Sequence, residues 1–486
     1  MTTMQPILHT SAHERQPDDV LAEIAEYVCA DGGLSEEAYA TARMSLMDSL
    51  GCGLLALGFP QCAKLLGPVV PGAGLPGGAR VPGTDYELDP VQAAFCIGTM
   101  IRWLDYNDTW LAAEWGHPSD NLGAVLATAD WLGRKALRAG RAPLRMHNVL
   151  TAMIRAYEIQ GVLALENAFN RAGLDHVLLV RVASTAVVAR MLGLTRSQII
   201  DAISNAWIDG SPLRAYRHAP NTGSRKSWAA GDAASRAVRL ALWTQAGEMG
   251  YATALSAPTW GFQDSLFRGQ TVKLARPLGS YVMENILFKV AFPAEFHGQT
   301  AVEAALRLRR QMRGRWDEIA RITIETQAPA LRIINKQGPL LNPADRDHCL
   351  QYMVAIALLH GALSAEHYED QAAGDPRIDC LRGKMEVVGE PRYSRDYLDP
   401  DKRSIANAVQ LDFNDGSRSE RIEIEYPLGH RRRREEARPL LFHKFRTNAA
   451  TRLRPEAVNQ LVELFEDPPR LDATAVTDFL GSFGVP

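Results

Sequence analysis

Apolar residues in the first half of the chain recur three and four positions apart, as on one face of an α-helix. Residues 177–192 are apolar on nearly every face, which predicts a buried central helix. Residues 68–90 are too rich in Gly and Pro to be regular and predict a loop. The pattern predicts a large multihelical domain, with its clearest helical segments at residues 36–57, 91–104, 146–165, 176–192 and 226–246.

The spacing changes after about residue 285. Residues 321–325 alternate between polar and apolar side chains, residues 384–389 are typical of a strand, and two alternating runs flank residues 414–416. An Asp-Gly turn between two such runs is a strong β-hairpin signal. Because helical stretches at residues 299–312 and 345–360 lie between these strands, the section predicts a smaller α+β domain.

Helical spacing returns near the C-terminus, in residues 455–466 and 472–480. The predicted fold class is mainly α: a large multihelical domain with a smaller α+β lid domain. We expect residues 1–284 to form the helical domain and residues 285–429 to form the lid. Residues 430–486 are expected to form C-terminal helices that pack back on the helical domain.

Composition narrows the classes of function. The chain has 486 residues, 46% of them hydrophobic, and its 53 Lys and Arg against 56 Asp and Glu give a net charge of −3. Without the positive excess that engages phosphates, we expect no nucleic-acid partner. Apolar runs end before the ~20 residues that a membrane span needs, and the first thirty residues lack a targeting pattern. We therefore expect no membrane partner and a cytoplasmic location.

The six cysteines lie far apart in the sequence, and no two form a C-x-x-C pair. Neither a thiolate zinc site nor an iron–sulfur cluster therefore has its usual ligand spacing. We expect free thiols in a reducing cytoplasm.

One segment concentrates ionisable side chains where a helical pattern ends. It includes Asp105, Asp108, Glu114 and His117. Pro118 suits the first position of a helix, so His117 should lie at or just before a helix N-terminus. A histidine there can donate to an anion or carry a proton. The alternative is structural, because the aspartates of this segment can cap free backbone N–H groups.

A second segment, residues 211–228, is a loop with several cations that opens into a predicted helix. Cations at a helix N-terminus oppose its dipole unless an anion lies between them. The loop therefore predicts an anion pocket for carboxylate or phosphate, and the alternative is a solvated basic loop. Its candidate residues are Arg214, Arg217, His218, Arg225 and Lys226.

Three further polar residues interrupt apolar segments. His176 precedes the central helix and is either functional or a satisfied core residue. Lys289 lies within ILFKVAF, where burial would lower its pKa unless an anion stays close, and the alternative is a lysine that snorkels to solvent. His297 is a weaker candidate. The sequence has no nucleophile elbow, Walker loop, dinucleotide-binding glycine motif or His-Glu-x-x-His helix. The charged segments indicate binding of a small polyanion and movement of a proton.

Several long strings in the chain are more specific than any short motif. DYNDTWLAAEWGHPSDNLGAVLATADWL, YRHAPNTGSRKSWAAGDAASRAVRLAL, GSYVMENILFKVAFPAEFH and NPADRDHCLQYMVAIALL resemble the PrpD-type members of the MmgE/PrpD family. The resemblance extends over nearly the whole chain. It implies a helical domain capped by an α+β lid, usually in a homodimer, without a metal or an iron–sulfur cluster.

The resemblance also implies a reaction on a small tricarboxylate. PrpD-type enzymes eliminate water from 2-methylcitrate to give 2-methyl-cis-aconitate in the methylcitrate cycle of propionate catabolism. A side activity that interconverts citrate or isocitrate with cis-aconitate is expected, because one methyl group gives weak discrimination. Two alternatives on the same scaffold are a cis-aconitate decarboxylase and an epimerase. An alternative outside enzymes is a polycarboxylate sensor, which would bind citrate without turnover.

The family's active-site pattern falls on six positions of this chain, and less certainly on Tyr352. The six are Asp105, Thr109, His117, His176, Lys226 and Lys289.

The chemistry of elimination suggests roles for these residues. Proton removal beside a carboxylate creates an enolate-like dianion, so Lys226 and Lys289 are expected to face the developing charge. His117 and His176 are expected to transfer protons, without an assignment of base and acid. Asp105 would fix a histidine tautomer or act as the base. Thr109 would hydrogen-bond the substrate, and Arg214, Arg217 or His218 would hold its other carboxylates.

Overall fold

Short polar side chains set where several helices begin. The computed structural model describes residues 16–210, 212–218, 220–312, 314–399 and 401–484, and more than half of them are helical. Ser35 Oγ accepts a hydrogen bond from the N–H of Ala38, and Thr195 forms a reciprocal capping box with Gln198. The mainly α class is confirmed.

The first part of the chain forms long helices and two small β-hairpins. The helices are α1 (Asp19–Cys29), α2 (Glu36–Ala56), α3 (Pro60–Ala63), α4 (Pro90–Arg102), α5 (Leu122–Arg138), α6 (Met146–Glu166), α7 (Val177–Met191), α8 (Arg196–Ile208), α9 (Arg225–Gln245), α10 (Phe262–Ser265) and α11 (Tyr281–Glu284). The antiparallel strand pairs are β1 (Ala79–Arg80) with β2 (Glu87–Leu88), and β3 (Trp110–Leu111) with β4 (Trp115–Gly116).

The lid combines short helices with a four-stranded sheet. Its helices are α12 (Gln299–Met312), α13 (Ala328–Ile333), α14 (Pro343–Arg346), α15 (Leu350–His360), α16 (Asp370–Ala373), α17 (Pro376–Arg382) and α18 (Pro391–Leu398). Its strands are β5 (Ile319–Thr326), β6 (Met385–Gly389), β7 (Asn407–Phe413) and β8 (Ile422–Ile424). In the sheet order β6-β5-β7-β8, only the β5–β6 pair is parallel, and Ile322 faces both Met385 and Leu411.

Two predicted elements differ in detail. The predicted helix over residues 345–360 is interrupted, because α14 ends at Arg346 and α15 begins at Leu350. The chain after β7 turns tightly at the predicted Asp-Gly position, since the N–H of Phe413 donates to the carbonyl of Ser417 at 2.9 Å, but the second strand, β8, is regular only from Ile422 to Ile424.

The C-terminal helices pack on the helical domain. They are α19 (Arg434–Ala449), α20 (Pro455–Glu466), α21 (Pro468–Ala473) and α22 (Val476–Gly481). The larger apolar core joins side chains from Val20 to Val290 with others from Ala437 to Phe483. A smaller core within the lid extends from Phe292 to Ile424.

Three glycines let the helices that carry the candidate site meet backbone to backbone. A Cβ on Gly98 of α4 would lie 2.9 Å from the Cα of Gly231 in α9. A Cβ on Gly123 of α5 would lie 2.7 Å from the backbone nitrogen of Gly98. Because α4 ends near Asp105 and α9 begins near Lys226, this contact sets the spacing of both candidate residues.

Within the described ranges, no helix combines the length and the apolar character needed to cross a lipid bilayer.

We predict that Gly231→Ala destabilises the protein by about 1–3 kcal/mol, because overpacking of a close contact forces backbone shifts. The new Cβ would lie 2.4 Å from Thr99 Oγ1 and 2.5 Å from the carbonyl oxygen of Phe95. Thermal unfolding of Gly279→Ala is the matched control, since no atom lies within 4 Å of its Cβ position. Equal melting temperatures for the two variants would contradict the prediction.

Candidate functional site

A small enclosed cavity of about 40 Å³ lies between the helical domain and the lid. The segment after α4, the β3–β4 hairpin and the start of α7 form one side, and residues 289–296 with the α14–α15 junction form the other. Its polar lining consists of Arg102, Asp105, Thr109, His117, His176, Arg214, Arg217, His218, Lys289, Glu295 and His348.

The carboxylate of Asp105 is the most heavily contacted group of the cavity. Its Oδ1 lies 2.6 Å from Arg102 Nη1 and 2.5 Å from Lys289 Nζ, and all three side chains are buried. Lys289 also donates to the backbone oxygen of Asp105, at 2.6 Å. Although burial raises the pKa of Asp105, the charges of Arg102 and Lys289 bring it well below its usual range. Asp105 is therefore ionised near pH 7.

Asp105 also has an uncommon backbone conformation. Its φ is +48°, in the left-handed region that an L-residue with a Cβ adopts at a cost. Strained residues of this kind concentrate at functional sites. The strain is maintained here because Lys289 holds both the carboxylate and the carbonyl of this residue.

The hydrogen bonds of His117 determine which of its nitrogens carries the proton. His117 Nδ1 lies 2.6 Å from the carbonyl oxygen of Asp108, and a carbonyl oxygen can only accept. Burial, with the charge of Arg102, lowers the pKa of His117 well below its usual range, so the ring is neutral near pH 7. The proton is therefore on Nδ1, and Nε2 has a free lone pair 3.7 Å from Asp105 Oδ1.

His176 lies beside His117, between two carboxylates. The ring centroids are 5.7 Å apart and the rings are roughly edge to face. His176 Nδ1 is 3.2 Å from Asp175 Oδ1, and its Nε2 is 3.6 Å from Asp120 Oδ2. Burial lowers the pKa of His176, and the charge of Asp175 opposes this effect. An additional negative charge in the cavity would favour its protonated form.

The lid supplies a second histidine–carboxylate pair. His348 Nδ1 lies 2.7 Å from Asp347 Oδ1, and Lys226 Nζ lies 2.6 Å from Asp347 Oδ2. His348 Nδ1 is also 3.9 Å from Asp105 Oδ2. Burial lowers the pKa of Lys226, and the Asp347 carboxylate opposes this shift. Lys226 therefore contacts Asp347 and reaches the cavity only indirectly, because it does not itself line it.

The two arginines of the predicted anion pocket already contact protein carboxylates. Arg217 pairs with Asp175 through Nε and also through Nη2, at 3.1 Å from Oδ1. Arg214 Nη1 is 3.7 Å from Asp175 Oδ2, and its guanidinium lies over the ring of Trp115. His218 lines the cavity with them. These contacts fix the two guanidinium groups at the cavity wall.

The structure brings most of the predicted site residues together at the cavity, but two of them, Lys226 and Tyr352, do not line it. Tyr352 lies in the core of the lid, where its hydroxyl donates to the carbonyl of His367 at 2.6 Å, and it does not line the cavity. Thr109 lines the cavity, and its Oγ1 lies 3.4 Å from His117 Nδ1. The weaker candidate His297 is buried and contacts Glu295 and the hydroxyl of Tyr397.

Four residues of the site were missed by sequence reasoning: Arg102, Glu295, Asp347 and His348. Arg102 lies one helical turn before Asp105, which was a usable signal. Asp347 and His348 lie in the interruption between α14 and α15, which the apolar spacing did not predict.

Within the described parts of the chain, the ligand atoms of Asp105, Asp347 and His348 lie within 4.8 Å of one another, a spacing that can hold a metal ion. The charges around them do not fit one. Lys226 contacts the Asp347 carboxylate at 2.6 Å, and Lys289 contacts the Asp105 carboxylate at 2.5 Å. The two ammonium groups already neutralise the carboxylates that a metal ion would need as ligands.

A buried lysine supports the site from behind. Lys444 Nζ in α19 donates to the carbonyl oxygens of Tyr106 and Lys289, at 2.9 and 2.7 Å, and lies 2.7 Å from Asp48 Oδ1. Although burial lowers the pKa of Lys444, the Asp48 carboxylate raises it above its usual range. The C-terminal helices are thus tied to both backbone segments that hold the Asp105–Lys289 pair.

Comparisons with known proteins place these residues in a family context. The MmgE/PrpD N-terminal domain matches residues 21–275, and the MmgE/PrpD C-terminal domain matches residues 292–467. A protein named 2-methylcitrate dehydratase from Cupriavidus necator is 60% identical over 478 residues, 98% of this chain and 99% of that protein. One of the same name from Escherichia coli (strain K12) is 59% identical over 466 residues, 95% of this chain and 96% of that protein. The relative named 2-methylcitrate dehydratase, mitochondrial, from Yarrowia lipolytica is 58% identical over 433 residues, 88% of this chain and 83% of that protein.

We predict that Lys444→Met lowers the free energy of unfolding by about 3–5 kcal/mol, because it leaves the charge of Asp48 buried without its partner. The double variant Asp48→Asn with Lys444→Met should recover part of this loss. Denaturant unfolding of the wild type, both single variants and the double variant measures the coupling. Strictly additive effects would show that the two side chains do not interact.

A second prediction concerns pH. Burial raises the pKa of Glu114 from 4.5 to about 7, so folding favours its protonated form. The stabilisation is complete below about pH 4.5 and is lost as pH rises through about 7. Glu114→Gln imitates the protonated form, so the wild type should lose up to about 3 kcal/mol relative to this variant between pH 4.5 and 8. Denaturant unfolding of both proteins across this range tests it, and parallel profiles would contradict it.

Proposed function

The chain belongs to the MmgE/PrpD family, and we propose that it is a 2-methylcitrate dehydratase, a hydro-lyase of the methylcitrate cycle of propionate catabolism. It eliminates water from 2-methylcitrate to give 2-methyl-cis-aconitate. The observation that carries the proposal is the enclosed cavity in which a neutral histidine with a free Nε2 faces an array of buried cations. Such a site suits proton removal from a polyanion.

Buried cations bind the substrate and stabilise the charge that develops on it. Lys289 and Arg102 face the cavity from one side, and Arg214 with Arg217 faces it from the other. Removal of a proton beside a carboxylate spreads negative charge onto that carboxylate. A fixed cation next to that carboxylate stabilises the charge as it develops. Because Asp105 holds Lys289 and Arg102 in place, their positions do not change during the reaction.

Two histidines move the protons. His117 Nε2 accepts the proton from carbon, the C–H electron pair forms the double bond, and the tertiary hydroxyl leaves. His176 in its protonated form donates to that hydroxyl, which departs as water. Asp175 and Asp120 favour the charged ring, and the carboxylates of the substrate add to this effect.

We infer from the small volume of the cavity that the lid opens during each cycle. At about 40 Å³ the cavity is far below the roughly 300–1,000 Å³ of typical ligand sites. The lid supplies His348, so opening would separate this residue from the histidines of the helical domain, whereas Lys289 stays paired with Asp105. Closure over the substrate then assembles the site and excludes water.

Three further properties belong to the same proposal. The reaction uses no metal, which is supported by the cations that neutralise Asp105 and Asp347. The enzyme works in the cytoplasm, in keeping with cysteines that are free thiols in the described chain. It forms a homodimer, which light scattering during size-exclusion chromatography tests.

We predict that chelator-treated protein raises the ultraviolet absorbance of unsaturated tricarboxylate when mixed with 2-methylcitrate, and does so more slowly with citrate. His117→Asn should lower kcat by about 10²–10⁴-fold, because the acceptor of the carbon-bound proton is lost. His443→Asn, at an exposed histidine, is the matched control. Folded wild-type protein that releases CO2 from cis-aconitate and leaves 2-methylcitrate unchanged would overturn the proposal.

A further inference from the structure

A second cavity borders the β3–β4 hairpin, which also lines the catalytic cavity. It has a volume of about 330 Å³, within the range of small-molecule sites. Leu111 lines both cavities. The buried side chains of Leu111, Leu287, Tyr397 and Ile405 pack together as an apolar wall between the two.

The lining of this second cavity is strongly positive. It includes Lys402, Arg403, Arg431 and Arg432, and Asp401 is the one carboxylic residue among its lining residues. Lys402 pairs with Asp396 at 2.9 Å and Arg431 pairs with Glu37 at 2.7 Å. For Arg403 and Arg432, no carboxylate partner occurs in the described part of the chain, and their hydrogen bonds go to carbonyl oxygens.

Arg403 is held in a strained and specific position. Its φ is +45°, in the left-handed region. Its guanidinium lies over the ring of Trp110, 4.6 Å from the centroid, and its Nη1 donates to the carbonyl of Leu111 at 3.2 Å. Its Nε is shielded from solvent and has no hydrogen-bond partner among the described residues. Because the Arg403 guanidinium lines the cavity without a carboxylate partner among the described residues, it is suited to bind an anionic ligand.

The same arginine contacts the backbone of the catalytic site. Leu111 belongs to β3, which directly follows Thr109, and the backbones of Thr109 and Leu287 exchange hydrogen bonds at 2.8 and 3.1 Å. Leu287 in turn lies two residues before Lys289 in the sequence. A ligand that draws Arg403 away from Leu111 would therefore act on the strand that positions Thr109 and Lys289.

We propose that this second cavity binds a small organic or inorganic anion with at least two carboxylate or phosphate groups, and that its occupancy alters catalysis through Arg403 and Leu111. Guanidinium groups suit both chemistries because their planar N–H pairs match two oxygens at once. Binding here needs no dehydratase activity, so the proposal stands apart from the assigned reaction. Such coupling requires the anion to bind one conformation of the β3–β4 hairpin more tightly than another.

The test measures binding of pyrophosphate and, separately, of citrate by isothermal titration calorimetry. Arg432→Gln should weaken binding at the second cavity by at least about tenfold, because a charged hydrogen bond is lost. Arg432 is exposed and lines the second cavity but not the catalytic cavity. The dehydratase activity of the Arg432→Gln variant without added anion should therefore equal that of the wild type. Arg307→Gln, which removes an exposed arginine in α12, is the matched control. A larger loss for citrate than for pyrophosphate identifies carboxylates as the ligand groups, and the reverse identifies phosphates.

Kinetics with the same anions test the coupling. In the wild type, the anion that binds should change kcat, and both Arg432→Gln and Arg403→Gln should abolish this change. Unchanged affinity in Arg432→Gln would overturn the second site. Inhibition that is purely competitive and equal in the wild type and Arg432→Gln would overturn the coupling, since the anion would then occupy the catalytic cavity alone.

Discussion

The buried carboxylate of Asp105 is the constraint on which the site depends. Two cations, Arg102 from α4 and Lys289 from the segment that leads into the lid, can be buried only because this carboxylate compensates them. His117 and His348 lie around the same group, at 3.7 and 3.9 Å. Residues of both domains, among them the candidate proton acceptor His117, are therefore arranged around one charge, so folding and assembly of the site share a single electrostatic requirement.

Two structural devices keep that charge in place without joining the reaction. The glycine contact between α4, α5 and α9 fixes how far apart the ends of these helices lie. Lys444 donates hydrogen bonds to the carbonyl oxygens of Tyr106 and Lys289, and the carboxylate of Asp48 neutralises its charge. The first device acts by excluding side chains and the second by satisfying backbone acceptors. The second also ties the C-terminal helices to the helical domain.

Periodicity predicted the mainly α class and the change of texture near residue 285, because burial of one face of a helix or strand leaves a repeating pattern. Pro118 predicted the helix start beside His117. The pattern did not predict the α14–α15 interruption that presents His348, since local apolar spacing is insensitive to a short break. The pattern also does not distinguish a buried residue of the lid core from one that lines the cavity. Tyr352 is such a case, because it packs in the lid core. The pairing of Arg217 with Asp175 depends on tertiary contacts that no local pattern records.

The closed cavity has a consequence for the design of inhibitors. In this conformation the space accommodates little more than solvent, so a compound shaped to it would be too small to gain much affinity. With the proposed opening of the lid, a tricarboxylate mimic binds the open form, and its apparent dissociation constant rises as the open fraction falls. At high inhibitor concentration the observed rate of binding to such a site is limited by the rate of opening, and contacts formed on closure lengthen the residence time. Slow-onset, long-lived inhibition is the behaviour that this architecture favours.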